Sequence, residues 1–304
     1  MNIKLNKIVA LVVVAFAATL TGCGGSDGGS CPESKWYIDA DGDGLGSASE
    51  SKMSCTQPTG FVANSDDGVD MVIKKESRPI VFKITGETCY YCGDWGWQAW
   101  IDLSESYSGG LGLNWANYGT GFSNGFFRNQ ELNPTMDPME NMFEEGGGKP
   151  NFAANGKDYS TSYADAQAAA DAYFAVPAQI APALEASIDG ESLTINVEAE
   201  VFEDISGSYY IGAYLIEDKV RGPQSGPVGT NGDVEHHMVM RGSLSPSAWG
   251  EEIVSASAAT GDKFSQSFTV DIPATYNKEN FYYGAIIWKK VGSKYTYVNC
   301  YTTQ

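Results

Sequence analysis

Two cysteines three positions apart, in Cys89-Tyr90-Tyr91-Cys92, are the residues with the clearest chemistry. Thiols at this spacing close a small disulfide ring or share a metal. Pro79-Ile80-Val81-Phe82-Lys83-Ile84 precedes them and reads as a short buried strand, with Thr85-Gly86-Glu87-Thr88 as a turn. Trp97, Trp100, Ile101 and Ser104 follow at helical spacing. A helix N-terminus presents unpaired N–H groups and a partial positive charge, which together stabilise a thiolate. In that setting Cys89 is expected to be an exposed nucleophile and Cys92 the resolving thiol. Glu87 opposes a thiolate, so an inert structural disulfide stands beside the exchange reading. A metal site is the third reading, but no second pair of ligands at metal spacing follows.

A CxxC between a strand and a helix resembles the thioredoxin arrangement. That resemblance implies a cis-proline loop against the cysteines, and Gly148-Lys149-Pro150-Asn151-Phe152-Ala153-Ala154-Asn155-Gly156 matches it, with Pro150 as the candidate. Asn155-Gly156 is a hairpin signal. Leu111–Asn117 reads as a central strand, and Ser162-Tyr163-Ala164-Asp165 opens an alanine-rich helix with a capping-box pattern that Pro177 ends.

Metal-ligating oxygens cluster upstream. Residues 39–50 read Asp-Ala-Asp-Gly-Asp-Gly-Leu-Gly-Ser-Ala-Ser-Glu, with acids at loop positions 1, 3, 5 and 12 and glycine at 6. This is the calcium-loop spacing of hard oxygen ligands converging from one turn. Asp39, Asp41, Asp43 and Glu50 would supply carboxylates, and Leu45 its carbonyl. Gly46 replaces the β-branched residue of an EF-hand, and the flanks do not pattern as paired helices. The segment is more similar to thrombospondin type 3 repeats, whose second acidic cluster is represented here by Asn64, Asp66, Asp67 and Asp70. Calcium is therefore the expected metal, with a solvated acidic turn as the alternative. Cys31 and Cys55 bracket the loop and are its natural disulfide in an exported protein. Cys300 is left over, in an alternating run that would bury it.

The N-terminus supplies the export signal. Lys4 and Lys7 precede a thirteen-residue apolar run, Ile8 to Leu20, too short to span a bilayer comfortably. Leu20-Thr21-Gly22-Cys23 resembles the lipobox of bacterial lipoproteins, which implies cleavage before Cys23 and lipidation of it. Acyl burial at roughly 0.8 kcal/mol per CH₂ makes several chains a lasting anchor. Gly24–Ser30 is a flexible tether.

These elements sit in a chain of 304 residues with 19 basic and 38 acidic side chains. Without Lys4 and Lys7 the balance is 17 against 38, or −21. That charge argues against a phosphate-binding surface, so no nucleic-acid partner is expected. It also argues against electrostatic docking on anionic lipid. From about residue 178 the pattern becomes β-rich: Leu193, Ile195, Val197, Ala199 and Val201 alternate. Runs at 208–216, 235–241, 264–272, 281–288 and 295–300 follow, which argues for a β-sandwich.

In order along this half stand Tyr214-Leu215-Ile216-Glu217-Asp218, Pro223-Gln224, Glu235-His236-His237-Met238-Val239-Met240-Arg241 and Trp249-Gly250-Glu251. With the strand and CxxC upstream, they resemble the twenty-eight-kilodalton outer-membrane-protein-related family over roughly 75–301. The resemblance implies an outer-membrane lipoprotein with a thioredoxin-like domain followed by a β-sandwich. His236, Met238 and Met240 on one strand face could suggest copper, but a sandwich-core Met pair and a hydrogen-bonded His is the preferred reading. Glu217, Asp218 and Gln224 read as turn organisers.

The expected fold class is therefore α+β. It comprises a signal peptide (1–22), a tether (23–30) and a disulfide-closed calcium module (31–72). A thioredoxin-like domain (75–177) and an antiparallel β-sandwich (178–304) follow. The functional expectation is thiol–disulfide exchange on exported or surface protein partners, with Cys89, Cys92 and Pro150 in the site and no organic cofactor. The alternative is a calcium-stabilised, non-enzymatic surface protein.

Overall fold

The computed structural model of the chain describes residues 31–39, 46–65, 71–106, 111–116, 138–139, 142 and 148–303. The signal segment, Cys23 and its tether, Asp41, Asp43, Leu45, Asp66, Asp67 and Asp70 lie outside the described residues.

Strands β1 (Ser34–Ile38), β2 (Ser47–Ser54) and β3 (Phe61–Val62) form a small antiparallel sheet in the order β2-β1-β3. The acidic loop thus joins two strands rather than two helices. Register shifts between Tyr37 and Ile38, so Ile38 pairs with Ser47 while Tyr37 pairs with Ser51. Gly46 is buried here. A Cβ on it would press on the Asn64 carbonyl and Tyr37, and the Asn64 side chain accepts from its N–H at 3.0 Å. Close approach of backbone, which only glycine permits, explains the missing β-branched residue. Cys31 and Cys55 are joined, with their Cα atoms 5.9 Å apart.

Next come β4 (Ile80–Thr85), α1 (Trp95–Ser106), β5 (Leu111–Ala116), β6 (Asn151–Ala154), β7 (Lys157–Asp158) and α2 (Tyr163–Tyr173). The β-rich half follows with β8 (Ile180–Asp189), β9 (Ser192–Val201), β10 (Ile205–Ser206), β11 (Ser208–Glu217) and β12 (Val220–Gly222). It continues with β13 (Val234–His236), β14 (Val239–Ser243), β15 (Glu251–Val254) and β16 (Ser257–Ala258). Its last strands are β17 (Lys263–Asp271), β18 (Phe281–Val291) and β19 (Lys294–Thr302).

One nine-stranded sheet runs β19-β18-β11-β14-β5-β4-β6-β7, with β15 also paired to β11. β4 and β5 are parallel, β5 meets β14 in parallel through Asn114 and Val239, and the other pairings in the sheet are antiparallel. The boundary expected near residue 177 is therefore crossed by a continuous sheet. Composition changes there, but the open edge of β5 is completed by a strand from the second half. This is the main departure from two separately folded units.

A three-stranded sheet, β17-β9-β8, covers part of the large one. β9 alternates as its sequence demands, and Leu193, Ile195 and Val197 meet Ile211, Ala213 and Ile287 in the sandwich core. The next residues of the same strands, Tyr214, Ile216, Ile286 and Trp288, join Ile80, Phe82 and Ile84 of β4 in a second core. β4 is buried along its whole length, as a central strand with both faces covered must be. Its Val81 packs with α1 and α2 through Ala99, Trp100, Leu103, Ala166 and Ala170. α2 starts as its capping box directs: Ser162 Oγ accepts from Asp165 N–H and donates to the Asp165 carboxylate at 2.7 Å. The chain is thus a mostly antiparallel β protein with a sandwich core. Among the described residues no helix is long and apolar enough to cross a membrane.

The run 235–241 is not one strand. It breaks at His237–Met238, where Met238 has φ 56°. Asp218 causes the break: one carboxylate oxygen takes His237 Nδ1 at 3.0 Å and Met238 N–H at 3.1 Å. That turn removes the alternation on which a His-Met copper face depended. His236 is buried in β13, and Met240 belongs to the second core on β14.

Candidate active site

Cys89 and Cys92 form a disulfide at the mouth of α1, with Cα atoms 5.3 Å apart. β4 delivers the chain to this point. Gly86 to Thr88 turn it, and residues Tyr91–Gly93 make one 3-10 turn before α1 begins. Cys92 N–H donates to Cys89 Sγ at 3.3 Å, so an amide of the 3-10 turn that precedes α1 faces the first sulfur. Cys89 Sγ lies 3.7 Å from the carbonyl oxygen of Lys149, and the Lys149–Pro150 peptide bond is cis. Gly96 sits under the Pro150 ring, which a Cβ there would strike. The structure therefore brings Cys89, Cys92 and Pro150 together.

The sulfurs are more enclosed than expected. Cys89 is 3% exposed and Cys92 0%, whereas Tyr90 and Tyr91 are 57% and 60% exposed. The expectation of an open Cys89 is corrected accordingly. The cis-proline loop lies against its sulfur, and the second half of the chain packs on its backbone. Gln224 Nε2 donates to the carbonyls of Cys89 at 3.1 Å and Gly86 at 3.2 Å, with the Ser225 carbonyl also at 3.2 Å. Ser225 N–H donates to the Glu87 carbonyl at 2.7 Å. A Cβ on Gly93 would collide with the Ser225 carbonyl.

Behind the pair lies a buried polar group that the sequence reading passed over. Lys83 is 2% exposed within β4, and its ammonium stands 5.8 Å from the Trp97 ring centroid. Burial pulls its pKa down to about 7. His236 packs edge-on against the same ring at 5.1 Å and donates from Nε2 to the Pro223 carbonyl at 3.3 Å. Burial, then the neighbouring Lys83 charge, holds its pKa down at about 4. A lysine inside an apolar strand was the visible signal for this cluster. Gln224 had no comparable signal, because its partners are backbone carbonyls far away in sequence. Cys300 is a free, buried thiol near the Pro79 carbonyl, and burial pushes its pKa up to about 12.

Asp39 stands half-buried at the end of β1, where its N–H donates to the Gly60 carbonyl at 2.9 Å, and Glu50 is exposed on β2. Among the described residues no three His, Cys, Asp or Glu side chains converge as a metal site. The remaining expected ligands lie outside those residues.

The described residues thus define a mostly antiparallel β protein in which one sheet joins a sandwich to a disulfide-bearing segment. The sequence profile described as "Outer membrane protein Omp28" matches residues 148–299, and the chain belongs to that family. It is accordingly a protein of the bacterial outer membrane. Among solved structures it is similar to HBP35 of Porphyromonas gingivalis, at 14% identity over 76% of each chain and a TM-score of 0.57. That likeness is one of fold. A domain of the outer membrane lipoprotein Omp28 from the same organism aligns at 18% identity over 42% of this chain and 88% of that one, with a TM-score of 0.30. None of the curated proteins compared with the chain matches it.

Proposed function

We propose that the protein is a lipid-anchored thiol–disulfide oxidoreductase acting on exported or surface polypeptides. One observation carries the reading: two cysteines in the turn leading into α1, with the Cys92 amide on Cys89 Sγ and the Lys149–Pro150 loop beside it. The order β4, CxxC, α1, β5, Pro150 loop, β6, β7, α2 supports reading this part of the chain as a thioredoxin-like domain. In it β14 takes the place beside β5 that a domain folding alone would fill with its own strand. In the reduced protein the Cys89 thiolate attacks a partner disulfide. A Cys89–partner bond forms and one partner thiolate leaves. Cys92, losing its proton, then attacks Cys89 Sγ, which forms the Cys89–Cys92 bond and releases the second partner thiolate. Two electrons pass to the partner.

Redox titration tests this directly. An exchanging pair equilibrates with glutathione or dithiothreitol buffers at a potential above about −300 mV, the ceiling for structural disulfides. Cys92→Ser would accumulate mixed disulfides that Cys89→Ser does not. The near-complete burial of Cys89 favours the second reading, a non-enzymatic surface protein with a structural disulfide. A pair that stays oxidised throughout those buffers establishes that reading instead.

The anchor in this proposal is acylated Cys23, with the acidic module held above the membrane on its tether. Asp39, Asp41, Asp43, Glu50 and the Leu45 carbonyl would hold calcium, with Asp66, Asp67 and Asp70 as a second group. The Gly46–Asn64 hydrogen bond supports this by drawing the start of the second cluster onto the first loop. Binding to the native state alone raises its stability. The melting temperature should therefore fall when a chelator replaces millimolar calcium, and an unchanged melt would remove the metal.

A further inference from the structure

Gln224 is remote in sequence from Cys89, and its sequence neighbourhood suggests only a turn. Its side chain is buried, and among the described residues it donates to three backbone carbonyls, two of them in the segment that carries the first cysteine. A main-chain bond from Ser225 to Glu87 clamps the same segment at 2.7 Å. The fit is backbone on backbone. Gly93 has no space for a side chain against Ser225, and Gly226, at φ 104°, has none against the Tyr90 carbonyl. His236 anchors the clamp from behind by bonding Pro223. The segment from Pro223 to Gly226 thus grips both ends of the short path from Gly86 to Gly93.

We propose that Gln224 is a positioning residue of the redox pair, holding this path so that the Cys92 amide points at Cys89 Sγ. The inference rests on the exchange reading for its purpose, and adds that the family-defining half of the chain builds the site. A thiolate on Cys89 is stabilised by N–H donors aimed at it, and the 3.3 Å amide of Cys92 is such a donor. With the two carbonyls released, the path relaxes and that donor loses its aim. The residue must be a neutral donor of this length. Glutamate would set a carboxylate against two carbonyl oxygens.

The test uses the full chain with Gln224→Met, which conserves volume, and Gln224→Glu. Each is reduced with a phosphine, and the rate at which Cys89 is alkylated is followed against pH. The phosphine step reads the geometry whether or not the pair exchanges with partners, so failure of the exchange reading is seen separately in the wild-type redox titration. The expected result is a thiolate fraction at neutral pH lowered about tenfold in Gln224→Met. Gln224→Glu should be lower still, and the dithiol–disulfide equilibrium should shift in the same sense. A folded Gln224→Met, with native aromatic circular dichroism and an unchanged alkylation profile, overturns the proposal. Should that variant not fold, hydrogen exchange on the wild type decides. Residues 222–229 are expected to exchange at different rates in the oxidised and reduced protein, and equal rates overturn the proposal.

Discussion

Expressed without residues 178–303, the disulfide-bearing half of the chain is expected not to fold. Its central strand β4 rests on side chains from the other half: Ile80, Phe82 and Ile84 pack with Tyr214, Ile216, Ile286 and Trp288. Each such apolar side chain is worth about 1.5–3 kcal/mol when fully buried. Three together are comparable with the whole stability of a domain, about 5–15 kcal/mol. The backbone fares no better. β5 loses its parallel neighbour β14, and the chain entering β4 loses Asn299. That side chain accepts from Arg78 N–H at 3.0 Å and donates to the Glu76 and Ile180 carbonyls at 2.9 and 3.0 Å. Trp100 Nε1 also loses the His237 carbonyl. Residues 75–177 alone should show no cooperative melt and no native aromatic circular dichroism. A cooperative transition near that of the intact chain would mean that the shared sheet is not required.

The second large effect is expected at Glu217 and Arg241, neighbours in β11 and β14. Arg241 Nε donates to Glu217 Oε2 at 2.8 Å, and both side chains are almost wholly buried. Asn277 N–H donates to the other carboxylate oxygen at 2.8 Å, and the guanidinium lies 4.5 Å from the Tyr276 ring centroid. Removing one member strands a charge away from water. Arg241→Met should therefore cost about 3–5 kcal/mol in denaturant unfolding. Replacing both, as Glu217→Leu with Arg241→Met, removes both desolvation penalties and should return much of that loss. If the double variant is as unstable as the sum of the singles, the ion pair is not the source of the effect.

What could be read from the residues followed physical range. Local patterns were legible: the alternation of β9, the capping box of α2, the Asn155-Gly156 turn and the strand before Cys89 each depend on near neighbours. The join between the halves was not. Val239 sits beside Asn114 because β5 has an open edge, and nothing near either residue announces it. The break at Met238 escaped the same way, since Asp218 imposes it from the bend between β11 and β12. In the site, the cysteines stood out by type and spacing, and Pro150 only through the resemblance to the thioredoxin arrangement. The grip of Gln224 is made to carbonyl oxygens, which every residue has, so no side-chain pattern marks the target.

The parallel contact between Asn114 and Val239 also has a bearing on the order of events during export. A chain emerging N-terminus first presents both thiols to the oxidising compartment long before the strand that completes their sheet arrives. Pairings so distant along the chain form slowly, because a large loop must close first. Cys89 and Cys92 therefore meet their surroundings as part of an unfinished protein, and the route to the native form begins with those thiols unprotected.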